Sequence, residues 1–240
     1  MPKQVIDTFF PEVTFLISAD APEQLPTDRG AEVAFAGRSN AGKSSALNAI
    51  AGRRMLARTS KVPGRTRLIN FFAAGSSRRL VDLPGYGYAR VPAAVRERWQ
   101  DSIAAFLGHR HCLRGVVMVV DSRQLLGPLD WQMLDWCQSM RLPVHLLLSK
   151  CDKLGHGAAA EALAATRRML DDAGMSVSAQ LFSANTREGV GEVRALVLQW
   201  LGPARDEGKK NPGNKGRESG AYKQSRRNLR DFPRSGRRSG

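Results

Sequence analysis

The sequence predicts an α/β domain three layers deep, with a mostly parallel central sheet covered by helices on both faces. Three observations carry that expectation. From about residue 30 to residue 202, short apolar runs rich in β-branched residues alternate with longer stretches of helical spacing, the order of βαβ units. Two of the runs, Val116-Val117-Met118-Val119-Val120 and Val144-His145-Leu146-Leu147-Leu148, lack the alternation of a half-exposed strand, as interior strands of a doubly covered sheet do. Between the first strand-like run and the first helical one stands the glycine-rich string Gly37-Arg38-Ser39-Asn40-Ala41-Gly42-Lys43-Ser44.

In chain order, the first strand is Glu32–Ala36, ending on that string, and the first helix is Lys43–Ala51. Strands at Leu68–Ala74 and Arg79–Asp82 follow, then a helix over Pro92–Leu107, bounded by Pro and Gly. Gly115–Asp121 and Val144–Ser149 are the continuous apolar strands, with the helix Leu129–Met140 between them. A helix at Ala158–Ala173, a strand at Ser178–Phe182 and a helix at Val190–Leu201 complete the alternation. This makes residues 30–202 one domain, with an N-terminal extension at 1–29. After Gly202-Pro203 aliphatic side chains almost vanish, and residues 203–240 are expected to be a disordered basic tail.

The totals limit the function. The chain has 37 Lys and Arg against 22 Asp and Glu, net +15, a charge that favours polyanions such as RNA, DNA or acidic lipid without choosing among them. Residues 203–240 hold 12 Lys and Arg against 4 Asp and Glu, so the tail carries +8 of that excess. The three cysteines, Cys112, Cys137 and Cys151, form no C-x-x-C and have no histidine at metal-ligand spacing, which argues against a disulfide framework or zinc site and fits a reducing, cytoplasmic setting. No stretch of 18 uncharged apolar residues occurs, and membrane insertion is not expected.

The chemistry starts at Gly37–Ser44. A glycine-rich turn before a helix lets successive backbone N–H groups wrap a phosphate at the positive end of the helix dipole. In that reading Lys43 meets the β- and γ-phosphates, the Ser44 hydroxyl reaches Mg²⁺, and Ser45 serves the α-phosphate. Asp82-Leu83-Pro84-Gly85 follows a strand directly, so Asp82 is expected at the metal and the Gly85 N–H at the γ-phosphate. The loop Pro63-Gly64-Arg65-Thr66 offers the Thr66 hydroxyl to the same metal while the γ-phosphate is present, and Arg67 and Leu68 continue this part of the nucleotide site. The base is selected at Ser149-Lys150-Cys151-Asp152. The Asp152 carboxylate can accept from the N1–H and 2-amino group of guanine, which adenine lacks, and the Lys150 stem can lie across the base. Phe182-Ser183-Ala184, after the next strand, can offer N–H groups to the guanine O6.

These strings, with Ala57-Arg58-Thr59-Ser60-Lys61-Val62-Pro63-Gly64-Arg65-Thr66, Leu68-Ile69-Asn70-Phe71-Phe72 and above all Leu80-Val81-Asp82-Leu83-Pro84-Gly85-Tyr86-Gly87-Tyr88-Ala89, resemble the EngB family, also called YihA or YsxC, of bacterial ribosome-biogenesis GTP-binding proteins. That family belongs to the TrmE-Era-EngA-EngB-Septin-like P-loop GTPases. The resemblance spans about residues 5–202 and implies a Ras-like G domain that hydrolyses GTP with Mg²⁺. It further implies a cytoplasmic monomer acting as a switch in assembly of the large ribosomal subunit, through its precursor and rRNA, and needed for normal cell division and septation. The chain departs from the family pattern at Ala41, where Val is commoner, at Arg67, where Gln is usual, and at Ser149, where Thr is usual.

Catalysis is read onto Lys43, Thr66, Gly85 and Asn40. The residue after Gly85 is Tyr86, where many relatives place the glutamine that positions the attacking water, so slow intrinsic turnover and help from a partner are expected. Asn40 resembles the asparagine by which some related GTPases hold a potassium ion against the phosphates; a turn-favouring asparagine is an equal alternative. Arg53, Arg54, Arg58, Lys61, Arg65 and Arg67 form either a solvated face or an RNA contact. The tail's arginines, with Tyr222 and Phe232, suit RNA. The competing function is a GTP-regulated rRNA-binding protein that does not hydrolyse.

Overall fold

A computed structural model describes residues 11–57, 68–87, 102–124 and 126–203. Its strands are β1 (Val13–Ala19), β2 (Ala31–Gly37), β3 (Ile69–Ala74), β4 (Arg78–Asp82), β5 (Leu113–Asp121), β6 (Val144–Ser149) and β7 (Ser178–Leu181). The helices are α1 (Lys43–Ala51), α2 (described over 102–109), α3 (Pro128–Ser139), α4 (His156–Asp172) and α5 (Val190–Leu201). Of the helix expected at Pro92–Leu107, residues 92–101 lie outside the described residues.

The seven strands form one sheet in the order β1-β3-β4-β2-β5-β6-β7. From β4 through β7 every neighbouring pair is parallel, while β1 and β4 each pair antiparallel with β3. The reason β2 sits centrally is visible in its side chains, all seven of which are buried. Val33 and Phe35 join Leu47 and Ile50 of α1 and Val193 and Val197 of α5. Ala34 and Ala36 face the other way, into a cluster with Ile103 of α2, Leu134 of α3 and Leu170 of α4. Period-two alternation along one strand thus fills two cores and defines the three layers. Gly115 allows the close approach of α5, because a Cβ there would lie 2.6 Å from the Trp200 ring.

At the lower end of β2, away from its carboxyl terminus, Glu32 is wholly buried and paired twice. Arg110 donates to it from Nε at 2.8 Å and from a terminal nitrogen at 2.7 Å, and Arg79 donates at 2.5 Å. The Arg110 guanidinium also lies 5.6 Å from the Phe71 ring centroid.

Residues 13–19, which the sequence reading leaves within an N-terminal extension, form an edge strand. Their pattern hides it. The register shifts between Phe15 and Ile17, so strict alternation is lost and Phe15, Leu16 and Ile17 are all exposed.

The loops at the carboxyl ends of β2, β4, β5, β6 and β7 are the glycine-rich string, the Asp82–Gly85 turn, Asp121–Gln124, Ser149–Asp152 and Phe182–Ala184. Because β2 has β4 on one side and β5 on the other, the chain departs from it in opposite directions, the crevice where ligands enter open α/β sheets.

Candidate functional site

Gly42 adopts a left-handed conformation, φ 98°, and turns the chain from the loop into α1. The first intrahelical bond recorded there runs from the Ala46 N–H to the Gly42 carbonyl, 2.8 Å, so the amides of Lys43, Ser44 and Ser45 head the helix without intrahelical acceptors. They are the donors a phosphate needs, at the end of the helix that favours anions. Within the loop the Ala41 N–H donates to the Arg38 carbonyl at 3.0 Å. Asn40 takes φ 63°, the turn conformation that asparagine tolerates.

Lys43 and Asp82, both buried, form an ion pair between the head of α1 and the end of β4. The sequence reading assigns them separately, to phosphate and to metal; the structure brings them into contact. Among the described residues no group of three or more His, Cys, Asp and Glu side chains could hold a metal. The oxygen donors here are Asp82 and, beside Lys43, Ser44, a hard and incomplete set suited to Mg²⁺ completed by phosphate oxygens and water. Gly64, Arg65, Thr66 and Arg67 lie outside the described residues; Leu68 is half-buried just before β3.

The Asp82–Gly85 turn leans on the P-loop. The Ser39 N–H donates to the Tyr86 carbonyl at 2.7 Å, the Tyr86 N–H to the Gly37 carbonyl at 3.3 Å, and a Cβ on Gly85 would stand 3.5 Å from Ser39. Leu83 is core, and Pro84 adjoins it in the turn. Tyr86 is held away from solvent. The residue, expected from the sequence to be a poor substitute for a water-positioning glutamine, is 3% exposed, and its hydroxyl donates to Asp130 at 3.0 Å. Burial, followed by the Asp130 charge, pushes its pKa well above the usual phenol value.

The base-recognition residues are held before any ligand is considered. The Ser149 hydroxyl donates to the Ala41 carbonyl. Lys150, at φ 60°, places its ammonium 2.7 Å from the Asn40 carbonyl and 2.9 Å from Asp121. Asp121 is in turn gripped by Arg123 at 2.9 and 2.6 Å, and this guanidinium, ahead of Lys150, holds its carboxyl well below the usual range. The Ser183 hydroxyl donates to Asp152 at 2.7 Å and lowers its pKa. Two of the three proposed O6 donors are already used. The Phe182 N–H donates to the Leu148 carbonyl at 2.9 Å and the Ser183 N–H to the Glu188 carbonyl at 3.0 Å. Phe182 itself is core, which leaves the Ala184 N–H for that role. Cys151 is buried, with its thiol donating to Glu188. A cleft of about 280 Å³ lies alongside, lined by the loop from Arg38 to Ala41 and by Asp121, Arg123 and Lys150.

Two residues to which the sequence assigns no functional role belong to this site. Asp121 ends a strand and carries a recognisable position but no motif. Asp130 reads only as an acidic residue in the first turn of a helix; that Arg38 is its partner, 92 positions away, has no sequence signal.

Residues 32–150 match the model of a family described as 50S ribosome-binding GTPase. The chain is 54% identical over 185 residues to a probable GTP-binding protein EngB of Nitrosococcus oceani, covering 77% of this chain and 92% of that one. It is 49% identical over 192 residues to the protein of the same description in Coxiella burnetii, covering 80% and 94%. A crystal structure of a probable GTP-binding protein EngB shares the fold, with a TM-score of 0.56 at 23% identity over 71% of this chain and 98% of that one.

Proposed function

We propose a function from one premise: the chain belongs to the EngB family of GTP-binding proteins. It binds GTP and GDP and hydrolyses GTP with Mg²⁺, slowly by itself, as a switch in assembly of the large ribosomal subunit. The observation that carries this reading is the arrangement on one sheet edge of the α1 amides, the Lys43–Asp82 pair and the Lys150–Asp152 loop.

The α1 amides receive the phosphates, and Lys43 exchanges Asp82 for the β- and γ-oxygens. Mg²⁺ held by Ser44, Thr66 and Asp82 would neutralise charge developing on the β–γ bridge. Gly85 donates its N–H to the γ-phosphate. Asp152 accepts from the guanine N1–H and 2-amino group, and the Ala184 N–H donates to O6. Asn40 would hold a potassium ion against the phosphates, and that cation would supply the positive charge of an arginine finger.

Slow turnover follows from Tyr86. The Tyr86 hydroxyl, directly after Gly85, is engaged by Asp130 and not turned toward a water, so a partner is proposed to supply that function. The partner proposed is the precursor of the large subunit and its rRNA, met by the basic tail at 203–240. The matched family's description supports it. An effect on cell division and septation would follow from the same ribosome deficit. The protein is proposed to act as a cytoplasmic monomer; no described helix is long and apolar enough to cross a membrane.

The test is titration with GTP, GDP and ATP, then phosphate release with purified large-subunit particles in potassium and in sodium buffer. Guanine nucleotides bind, ATP does not, and particles with potassium accelerate release. GTP binding without release in any condition would favour the non-hydrolysing RNA-binding reading, which the burial of Tyr86 keeps in contention. Equal rates in the two buffers would remove the potassium role.

A further inference from the structure

We propose that Asp130, in the first turn of α3, is a positioning residue for recognition of the γ-phosphate: through Arg38 and Tyr86 it locks the start of the P-loop to the turn that carries Gly85. The inference rests on the GTP-switch reading and extends it to a residue in no nucleotide-binding motif.

The side chain of Asp130 has no solvent exposure, and donors converge on both of its oxygens. Arg38 donates to Oδ2 from Nε at 2.7 Å, with a terminal nitrogen 2.5 Å away. The Gly127 N–H donates to the same oxygen at 2.9 Å, and the Tyr86 hydroxyl donates to Oδ1 at 3.0 Å. A buried carboxylate is tolerated only when its charge is met and its lone pairs are filled. Here the counter-charge comes from the P-loop and another donor from the Asp82–Gly85 turn, so one carboxylate fixes one loop against the other. The backbones repeat the connection. Arg38 and Tyr86 form a parallel bridge, and the Ser39 N–H reaches the Tyr86 carbonyl.

The bland alternative is a buried ion pair that seats α3. However, α3 already buries Met133, Leu134 and Cys137 on its inward face, and only the Gly127 contact lies within its own start. The other donors belong to the phosphate-side loops. A Cβ on Gly85, one residue before Tyr86, would stand 3.5 Å from the Ser39 backbone. Its N–H is therefore placed by the residue that Asp130 anchors.

The two nucleotides distinguish a positioning role from a structural one. GDP uses the P-loop amides, Lys43 and the base loop, whereas GTP additionally uses the Gly85 N–H. Loosening the Tyr86 anchor should weaken GTP selectively.

The full chain is made as wild type, Tyr86→Phe and Asp130→Asn, and affinities for GDP and a non-hydrolysable GTP analogue are measured with thermal midpoints. In Tyr86→Phe the analogue's affinity falls on the order of tenfold while GDP stays within about twofold, the size expected for one hydrogen bond to a charged group. Single-turnover hydrolysis slows in parallel. Asp130→Asn changes the GTP to GDP ratio in the same direction and further. If it does not fold, Tyr86→Phe alone decides. Equal losses for both nucleotides, or none for either, overturn the proposal. Failure of the wild type to bind GTP overturns the underlying reading instead and is recognisable as such.

Discussion

On the base side of the site each polar group has a partner that it can keep when a nucleotide binds. Ser149 holds the Ala41 carbonyl, Lys150 is fixed between Asn40 and Asp121, and Asp152 is oriented by the Ser183 hydroxyl while retaining acceptor capacity. On the phosphate side the principal charges hold each other. Lys43 and Asp82 neutralise one another in a buried pair, and both must change partners for an Mg²⁺-nucleotide to enter. The base loop is thus preorganised and the phosphate loop works by exchange. Preorganisation gives discrimination at little cost in ordering. Exchange gives a site whose charges are never left buried and alone.

The largest effect should come from breaking the exchange. Lys43→Ala removes the phosphate cation and strands Asp82, and the loss of one partner of a buried pair costs about 3–5 kcal/mol of folding stability. Guanine nucleotide binding measured by calorimetry should disappear, and the thermal midpoint should fall as well. An unaffected midpoint would mean that Asp82 finds another partner.

A smaller effect is expected from the preorganised side. In Asp152→Asn the side chain presents a donor where guanine also donates, and GTP affinity should fall by about 3 kcal/mol, on the order of a hundredfold. Because the asparagine Oδ1 can still accept from the Ser183 hydroxyl, the thermal midpoint should hardly move. Binding and stability should therefore separate for Asp152 and fall together for Lys43; the same pattern for both would erase the distinction between the two sides.

The smallest effect concerns pH. The carboxyls of Asp152 and Asp121 are both held below the ordinary range, chiefly by Ser183 in the first case and Arg123 in the second. A depressed carboxyl stays charged above its unfolded value, and the interaction it makes is lost only as the pH falls through the folded one. Discrimination between GTP and ATP should accordingly stay flat from about pH 8 to pH 5, since unperturbed aspartates titrate near 3.9. Loss of selectivity around pH 6 would require a different titrating group.

The same contrast explains what could be read from the residues. Local chemistry was legible. Gly37–Ser44, Asp82–Gly85 and Ser149–Asp152 each announce themselves within a few positions, and the limits of α1 and α5 follow from the pattern of their apolar residues and bordering glycines. Pairings between distant segments were not legible. Asp130 looks like any acidic residue in a helix's first turn, and only the packing of α3 on the sheet brings it to Arg38. Phe182 illustrates the converse. Its neighbours suggest a nucleotide contact, but parallel pairing of β7 with β6 commits its amide to Leu148 and its ring to the core. Edge strand β1 escaped notice because a bulge destroys the alternation by which a strand is usually found.

The two arginines on Glu32 give the site a mechanical foundation. Five residue-to-residue steps, about 16 Å of extended chain at roughly 3.3 Å each, separate Glu32 from Gly37, so the strand that ends in the P-loop resembles a cantilever clamped at its far end. The clamp joins the neighbours on either side of β2, Arg79 from β4 and Arg110 from the approach to β5. A lesion at Glu32 would release that root and let the tip wander. In a screen for loss of nucleotide binding it would score as a defect of the P-loop, although Glu32 stands at the opposite end of the strand from it.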